Sequence, residues 1–240
     1  MKLRDKIQKE VRKVKSNGKT AVGMSPSLKS SRMVSYESSL ESDFIALAEF
    51  DPFVARYGAQ PVRITYKDAH GKNRSYTPDF LVYHKKAFAK KFPPTLVEVK
   101  CRSDIKANWA DLKPKFSAAK KYAASRKWKF KIMTETEIRT GYTDNAKFLL
   151  QYKSKLVDAE LIDCTLKTLK YLEKCTPSEL VVVAAKEREK RLEIINALWH
   201  LMSHGKIGYN PFIELQMESE IWYKADIVPL FTKPFLYAKS

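Results

Sequence analysis

Two acids and a lysine interrupt runs of apolar residues that otherwise have the character of buried strands. Asp79 stands in the segment TPDFLVY, and Glu98 and Lys100 stand in the segment TLVEVKC. An acid buried without a partner costs about several kcal/mol, and a divalent cation held between two carboxylates removes that cost. Carboxylate oxygens are the ligands that Mg²⁺ prefers. The two segments therefore predict that Asp79 and Glu98 together bind Mg²⁺.

Lys100 and Val99 complete the predicted site. Side chains two positions apart on a strand share a face, so Lys100 is expected beside Glu98. An ammonium there can position an attacking water and offset the charge that develops on phosphorus. The carbonyl of Val99 is expected to supply a further metal ligand. A half-exposed strand facing solvent would account for Glu98 and Lys100 alone, but the combination with Asp79 is more specific for phosphodiester chemistry.

Helices and strands must bring these groups together. Leu40, Phe44 and Leu47 stand at helical spacing in ESSLESDFIALAEFD. The runs QPVRITYKD and GKNRSYTPDFLVYHKK predict a hairpin that turns at AHGKN. A third strand at TLVEVKCR, a lysine-rich helix over 111–127 and a fourth strand at KFKIMTE follow. This order predicts an α/β fold with a mixed sheet.

A second, mainly helical part is predicted to begin between about residues 144 and 160. Thr176 precedes Pro177 and stands three residues before Glu179, which is the pattern of a capping box. Gly205 is expected to end a further helix, and a short two-stranded ribbon is expected over 206–224. Three helices followed by a hairpin is the layout of a winged helix.

The charge of the chain indicates a polyanionic partner. The 240 residues include 45 Lys and Arg against 27 Asp and Glu, a net charge of +18, and such a surface favours DNA or RNA. A solvated helix face would account for any single lysine. The cations expected to contact the DNA backbone, where it passes the predicted metal ligands, are Lys85, Lys86, Lys90, Lys91, Arg102, Lys113, Lys115 and Lys120.

Cysteine usage and hydropathy indicate the compartment. The three cysteines form no CxxC pair, so neither a disulfide framework nor a zinc finger is expected, which is typical of a reducing cytoplasm. The longest apolar run, 180–185, is too short to cross a bilayer. No signal peptide is recognisable. We expect a cytoplasmic protein with no membrane partner.

The segments around Asp79 and 98–100 resemble the PD-(D/E)xK nuclease motif. The resemblance implies a restriction-endonuclease-like core, with a mixed sheet flanked by helices, that cuts phosphodiesters with Mg²⁺ or, in its place, Mn²⁺. It also implies an acid on a helix before the first strand. Glu41 matches that acid, whereas Glu37 and Asp43 are less well placed. The implied metal ligands are Glu41, Asp79, Glu98 and Val99, and the implied catalytic residues are Glu41, Asp79, Glu98 and Lys100.

The succession SLE, AQPVRI, YTPDFLV and VEVK resembles, over about 36–151, the TnsA endonuclease subunit of heteromeric transposases. The resemblance implies a bacterial subunit, acting on nucleoid DNA, that cuts the non-transferred strands at the 5′ ends of a transposon. Its implied partners are double-stranded transposon-end DNA, a TnsB-like transposase and a TnsC-like AAA+ ATPase. Gln60 matches a glutamine near the active site of many such nucleases.

The predicted division of the chain is a basic arm at 1–32, an endonuclease domain at 33–155, and a winged-helix-like domain with a partner-binding tail at 156–240. Two other functions are compatible with the same residues. One is a restriction or repair nuclease that acts alone. The other is a non-catalytic DNA-binding adaptor in which the winged helix makes the contacts and the acids are incidental.

Overall fold

The computed structural model describes residues 22–30, 32–68, 70–224 and 233–237. Within these residues the chain forms two compact units. The first contains the described residues up to Arg139 together with 234–237, and the second contains those from Thr140 to Lys233. Most of the predicted basic arm, 1–32, lies outside the described residues. Within the described ranges, no helix combines the length and the apolar character needed to cross a bilayer.

Eight strands and four helices build the first unit. In chain order they are β1 (Gly23–Ser25), β2 (Val34–Tyr36), α1 (Ser39–Phe50), β3 (Val54–Ala59), β4 (Ile64–Lys67), β5 (Asn73–Tyr76), β6 (Phe80–His84), β7 (Thr95–Val99), α2 (Arg102–Ala107), α3 (Trp109–Ser125), β8 (Lys129–Met133) and α4 (Glu135–Ile138).

The central sheet has the strand order β3-β6-β7-β8. β6 pairs antiparallel with both β3 and β7, while β7 and β8 run parallel. The predicted mixed sheet is therefore confirmed. The predicted hairpin is confirmed over β4 and β5, but its second run, GKNRSYTPDFLVYHKK, divides into β5 and β6, which belong to different sheets. The sequence analysis missed β3, whose residues VARYGA do not alternate cleanly between apolar and polar.

Helices cover both faces of this sheet because successive strand residues point to opposite sides. Phe80 faces α1, where its ring stacks on Phe44 with centroids 4.6 Å apart. Leu81 faces the other side and joins the cluster that Ala119 and Ala123 of α3 complete. The predicted α1 is confirmed, with Leu40, Phe44, Leu47 and Ala48 all buried.

The antiparallel pairing fixes which residues share an end of the sheet. Phe80 at the start of β6 pairs with Val97 near the end of β7, and Val82 pairs with Thr95 at the start of β7. We call the end where β6 starts and β7 ends the cavity end. The opposite end, where the loop 85–94 connects β6 to β7 and where β8 starts, is the loop end.

Four helices and a small sheet build the second unit. They are α5 (Gly141–Lys153), α6 (Ala159–Leu172), β9 (Lys174–Cys175), α7 (Pro177–Ala184), α8 (Arg188–Ser203), β10 (Ile207–Tyr209) and β11 (Ile221–Tyr223). The sheet order is β10-β11-β9, and both pairings are antiparallel.

The predicted caps of the second unit are confirmed. The Thr176 hydroxyl accepts the N–H of Glu179 at 3.2 Å, while the Glu179 carboxylate accepts the N–H of Thr176 at 2.7 Å. Gly205 follows α8 with a φ of 68°, in the left-handed region that glycine adopts without strain. Its N–H bonds the carbonyl of Met202 at 2.9 Å, which ends the helix.

The two units divide between Arg139 and Thr140, whereas the sequence analysis placed the boundary between 155 and 156. The difference comes from α5, which belongs to the second unit. Its Phe148 packs edge-on against Trp199 of α8 with centroids 5.1 Å apart, and Leu149 is fully buried. A helix that shares its apolar face with α8 cannot be assigned to the sheet of the first unit.

The described end of the chain, 234–237, packs on the first unit. The N–H of Phe235 bonds the carboxylate of Asp51 at 2.7 Å, and Lys131 donates to the carbonyl of Leu236 at 2.7 Å. The hydroxyl of Tyr237 lies 3.1 Å from that of Thr95. This part of the predicted partner-binding tail therefore contacts its own chain, while 225–232 and 238–240 lie outside the described residues.

Candidate active site

A cavity of about 380 Å³ opens at the cavity end of the first unit. Helix α1, the start of β6 and the end of β7 form its walls, together with the segment that leads into β6 and the first turn of α3. Its lining residues are Glu37, Glu41, Arg63, Ser75, Tyr76, Thr77, Asp79, Glu98, Val99, Lys100, Leu112 and Lys115. All four residues predicted to carry out catalysis line this one cavity.

Asp79 is fixed from two sides at the start of β6. Its side chain accepts the backbone N–H of Val99 at 2.7 Å, and its own carbonyl accepts the N–H of Gln60 at 2.7 Å. The bond to Val99 crosses from β6 to β7 and holds the carboxylate beside the neighbouring strand. The adjacency expected of Asp79 and Glu98 follows directly from the pairing of these two strands.

Glu98 is 6% exposed on β7. Tyr76 donates its hydroxyl hydrogen bond to the Glu98 carboxylate, and Asp79 lies within hydrogen-bonding reach of the same carboxyl group. Burial raises the pKa of Glu98 to about 7, against the opposing effects of the Tyr76 hydroxyl and the nearby Lys100.

The pKa of Asp79 is raised well above its usual value. Burial is the largest cause, and the negative charges of Glu98 and Glu41 add to it. Two carboxyl groups this close cannot both ionise cheaply, so they titrate as a pair that retains a proton. A cation bound between the two carboxyl groups would therefore take the place of that proton.

Glu41 belongs both to the cavity and to the cap of α1. Its carboxylate accepts the hydroxyl of Ser38 at 3.0 Å and the N–H of Glu37 at 2.9 Å, while the N–H of Glu41 bonds the Ser38 hydroxyl at 3.1 Å. Burial raises the pKa of the Glu41 carboxyl. These reciprocal bonds hold the Glu41 carboxylate against the helix N-terminus.

The two neighbouring acids take the positions that the sequence suggested. Glu37 precedes α1 and accepts the side-chain amide of Gln60 at 3.1 Å. Asp43 points away from the cavity and forms an ion pair with Arg139 at 2.9 Å. Gln60 adopts a φ of 46°, and its side-chain oxygen is buried with no hydrogen-bond partner among the described residues.

Lys100 directly follows β7 and lines the cavity. Its backbone N–H bonds the carbonyl of Met133 on β8 at 3.0 Å, so the strand pairing fixes the start of the side chain. Its positive charge lowers the pKa of Glu41, Asp79 and Glu98. The amine is thus electrostatically coupled to all three acids.

The donor set has the chemistry of a magnesium site. Among the described residues, no three His, Cys, Asp or Glu side chains stand close enough together to enclose a metal ion. Glu41 lines the same cavity while it bonds the cap of α1, and Asp79 and Glu98 lie within hydrogen-bonding reach of one another. Mg²⁺ is commonly held by one or two carboxylates with waters and substrate oxygens in the other positions, and two half-neutralised acids meet that requirement.

The sequence analysis missed Tyr76 and Arg63. Tyr76 was treated as a strand residue, because a tyrosine next to apolar residues is usually part of a core. Its position three residues before Asp79, at the end of β5, was the available signal. Arg63 lies just before β4 and adds a second cation to the cavity wall.

Four of the cations expected to contact DNA lie on α2 and α3. Lys115 lines the cavity, and Arg102 is exposed at the start of α2, just after Lys100. On α3, at about 100° per residue, Lys113 and Lys120 lie on the flank opposite Lys115, and both are exposed.

The four loop lysines do not flank the predicted metal ligands, and that expectation is corrected here. Lys85, Lys86, Lys90 and Lys91 follow β6, while Asp79 precedes it. In an antiparallel pair the connecting loop lies at the end of the sheet opposite the first residue of the first strand. The length of β6, at about 3.3 Å per residue, therefore separates the loop lysines from the acids.

Comparison with known proteins identifies a family for part of the chain. Residues 51–135 match a family model described as TnsA-like endonuclease N terminal. The matched range contains Asp79, Glu98 and Lys100 and begins just after α1. No curated protein matches the chain. The resemblance noted from the sequence is confirmed over this range.

Proposed function

We propose that this protein is the endonuclease subunit of a Tn7-type transposase, because residues 51–135 match the TnsA-like endonuclease N-terminal family. Its reaction is cleavage of the non-transferred strands at the 5′ ends of a transposon during cut-and-paste transposition. The observation that carries the proposal is the convergence of Asp79, Glu98 and Lys100 on one cavity within the matched residues.

The proposed cofactor is Mg²⁺, with Mn²⁺ able to replace it. Asp79 and Glu98 would hold the ion together with the carbonyl of Val99, and Glu41 would contribute from α1. When bound, a divalent cation polarises a phosphoryl oxygen and makes water more acidic. The raised pKa values of the two central acids support this assignment, since they indicate negative charge that lacks compensation.

The side chains of the chain itself have distinct proposed roles. Lys100 would orient the attacking water through its N–H donors and offset the charge that grows on the non-bridging oxygens. Tyr76 holds the Glu98 carboxylate in one orientation, and the N–H of Val99 does the same for Asp79. Arg63 and Lys115 on the cavity wall would attract the DNA phosphates to this group.

The fold supports the same proposal. A mixed sheet with helices on both faces, an acid on the preceding helix, and acids on β6 and β7 agree with a PD-(D/E)xK core. In the second unit the order α6-β9-α7-α8-β10-β11 agrees with a winged-helix-like module. We propose that this unit contacts the partners, a TnsB-like transposase and a TnsC-like AAA+ ATPase.

The test is strand cleavage of transposon-end DNA with Mg²⁺, with and without a TnsB-like transposase. Asp79→Ala and Lys100→Ala are expected to abolish 5′-end cleavage while DNA association and the unfolding temperature stay close to wild type. The matched controls, Asp104→Asn and Lys106→Ala, change exposed residues of α2 and should cut normally. Unchanged cutting by the Asp79 variant refutes the proposal.

The same assay separates the two alternative functions. Vigorous cleavage by the protein alone would assign a restriction or repair nuclease rather than a transposase subunit. Calorimetry with Mn²⁺ addresses the adaptor. If metal binding does not depend on Asp79 and Glu98, the acids are incidental and a non-catalytic DNA-binding role replaces the proposed one.

A further inference from the structure

The loop end of the first unit carries a concentration of positive charge that the cavity does not use. We propose that it is a second DNA-contact surface, which binds the phosphates of the duplex flanking the cleavage site. This inference rests on the proposed function at one point, because the proposed function defines the cleavage site that the bound duplex flanks. We call this surface the loop-end patch, and it consists of Lys85, Lys86, Lys90, Lys91, Arg126 and Lys127.

Strand pairing brings the two halves of the patch together. The loop 85–94 ends where β7 starts, and Thr95 pairs with Lys129 at the start of the parallel strand β8. The N–H of Lys129 bonds the carbonyl of Pro94 at 2.9 Å. Arg126 and Lys127 lie between the end of α3 and β8, so they reach the same end of the sheet as the loop.

Acids are segregated away from this surface. The segments 84–95 and 120–131 contain ten lysines and arginines and no aspartate or glutamate. The acids at the end of α1, Glu49 and Asp51, are buried and accept hydrogen bonds from within the unit. Among the described residues, none of the four loop lysines pairs with a carboxylate, and all four are exposed.

The arginine of the patch is held in place before any ligand arrives. The Arg126 guanidinium stacks on the Tyr122 ring at 3.8 Å from its centroid and lies 5.8 Å from that of Trp128. A guanidinium stacked on a ring keeps its in-plane N–H donors directed outward. Arg126 is exposed, so those donors are placed to bind a phosphate.

Lys127 adds a second cation beside Arg126 where α3 ends. Its φ of 59° lies in the left-handed region, and its N–H bonds the carbonyl of Ala124 at 3.0 Å. Glycine or asparagine usually takes such a position, because the conformation costs other residues about 1 kcal/mol. Lys127 is exposed, so its ammonium group faces solvent at the same end of the sheet.

The spacing of the two surfaces suits a DNA duplex. The five residues of β6 lie between Asp79 and Lys85, so six steps of about 3.3 Å put these two positions about 20 Å apart. That is about six nucleotides at 3.4 Å each. A duplex whose axis follows β6 would place one phosphate in the cavity and meet the loop-end patch about six positions away.

The experiment measures affinity for a transposon-end duplex by fluorescence anisotropy over a salt series, with EDTA present so that no cleavage occurs. The test variant of the full chain replaces Lys85, Lys86, Lys90 and Lys91 by glutamine. The charge-matched control replaces Lys67, Lys72, Lys106 and Lys186, all exposed, in the same way. Each lost phosphate contact lowers the salt slope by about 0.9.

For the test variant we expect a slope lower by about 3–4 and affinity at least about tenfold weaker at low salt, with the control unchanged. Ethylation of phosphates about six positions from the cut should weaken binding of the wild type but not of the variant. Equal slopes for variant and control, or no binding of DNA by the wild type, overturn the inference. So does tighter, patch-dependent binding of an RNA duplex of the same sequence.

Failure of the proposed function gives a different result. If Asp79→Ala cuts DNA like the wild type, the cavity is not the nuclease site, yet the binding data still report on the loop-end patch. If cleavage depends on Asp79 but the glutamine variant binds like its control, the nuclease stands and the patch is wrong.

Discussion

Replacement of Asp79 by asparagine is expected to stabilise the metal-free protein at neutral pH while it removes a proposed metal ligand. In the wild type, the buried Asp79 and Glu98 carboxyls repel one another when both are ionised. An asparagine amide can accept the N–H of Val99 through its oxygen and donate to Glu98 through its nitrogen. The variant keeps the hydrogen bonds and loses the repulsion.

The part of the pH dependence that can be worked out comes from Glu98, whose pKa burial raises from 4.5 to about 7 in the wild type. Each tenfold change in proton affinity is worth about 1.4 kcal/mol, so the rise corresponds to about 3 kcal/mol. Because the raised pKa means that the folded state binds the proton more tightly, this stabilisation is complete below pH 4.5 and is lost as the pH passes through about 7.

The assay is chemical unfolding in EDTA at several pH values, for the wild type, Asp79→Asn and the exposed control Asp104→Asn. Metal-free Asp79→Asn should still lose about 3 kcal/mol of stability between pH 4.5 and 8, because its Glu98 remains buried. The wild type should lose more over the same range, because the pKa of its Asp79 is raised as well. The variant should therefore come close to the wild type in stability at pH 4.5 and exceed it at pH 8.

The reasoning fails if Asp79→Asn is less stable than the wild type at pH 8, or if its advantage is the same at every pH. Saturating Mn²⁺ provides an internal check, because it should stabilise the wild type at pH 8 and leave the variant unchanged. A variant stabilised equally by Mn²⁺ would show that the ion binds elsewhere.

Three further changes test separate parts of the structure. Glu41→Gln should abolish or strongly reduce cleavage but cost under about 1 kcal/mol of stability, because the glutamine oxygen can still accept a hydrogen bond from the Ser38 hydroxyl or the Glu37 N–H; kinetics and unfolding measure the two effects. Tyr76→Phe should move the acid limb of the pH–rate profile to higher pH, since the lost hydrogen bond had lowered the pKa of Glu98. Deletion of 234–240 should destabilise the chain by about 1–3 kcal/mol, seen in urea unfolding, because the buried Asp51 loses a donor.

Each of these predictions has its own contrary result. Full activity of Glu41→Gln would show that Glu41 serves the helix cap alone. An acid limb that stays in place or moves to lower pH in Tyr76→Phe would contradict the role of the hydroxyl. Unchanged stability after the deletion would mean that water satisfies Asp51 as well as the chain does.

The elements that could be predicted are those with a complete local pattern. The apolar spacing of α1 and the alternation of β4 are present in the sequence itself. The strand β3 was missed because Arg56 and Gly58 interrupt its apolar character, and only pairing with β6 makes it a strand. The helix α5 was assigned to the first unit rather than the second. Its apolar face indicates that the helix packs against another element, but it does not identify that element.

The acids Asp79 and Glu98 could be predicted as site residues, because carboxylates are unusual in apolar strands. The role of Tyr76 could not be predicted in the same way, because its hydroxyl gains a hydrogen-bond partner only when the fold places Glu98 of another strand beside it. The loop lysines were placed beside the metal ligands because they are close in sequence. Because β6 and β7 are antiparallel, the loop that connects them lies at the loop end, away from the metal ligands. Any two antiparallel strands joined by one loop have this arrangement.

The return of residues 234–237 to the first unit sets an order of events during synthesis. Asp51 and its partner Phe235 are 184 residues apart, and a ribosome needs roughly 10–40 s to make that stretch at 5–20 residues per second. Throughout that time the carboxylate must remain solvated or protonated. The first unit thus completes these contacts only after residue 237 has left the ribosome, so a translation product that stops before residue 234 would lack them.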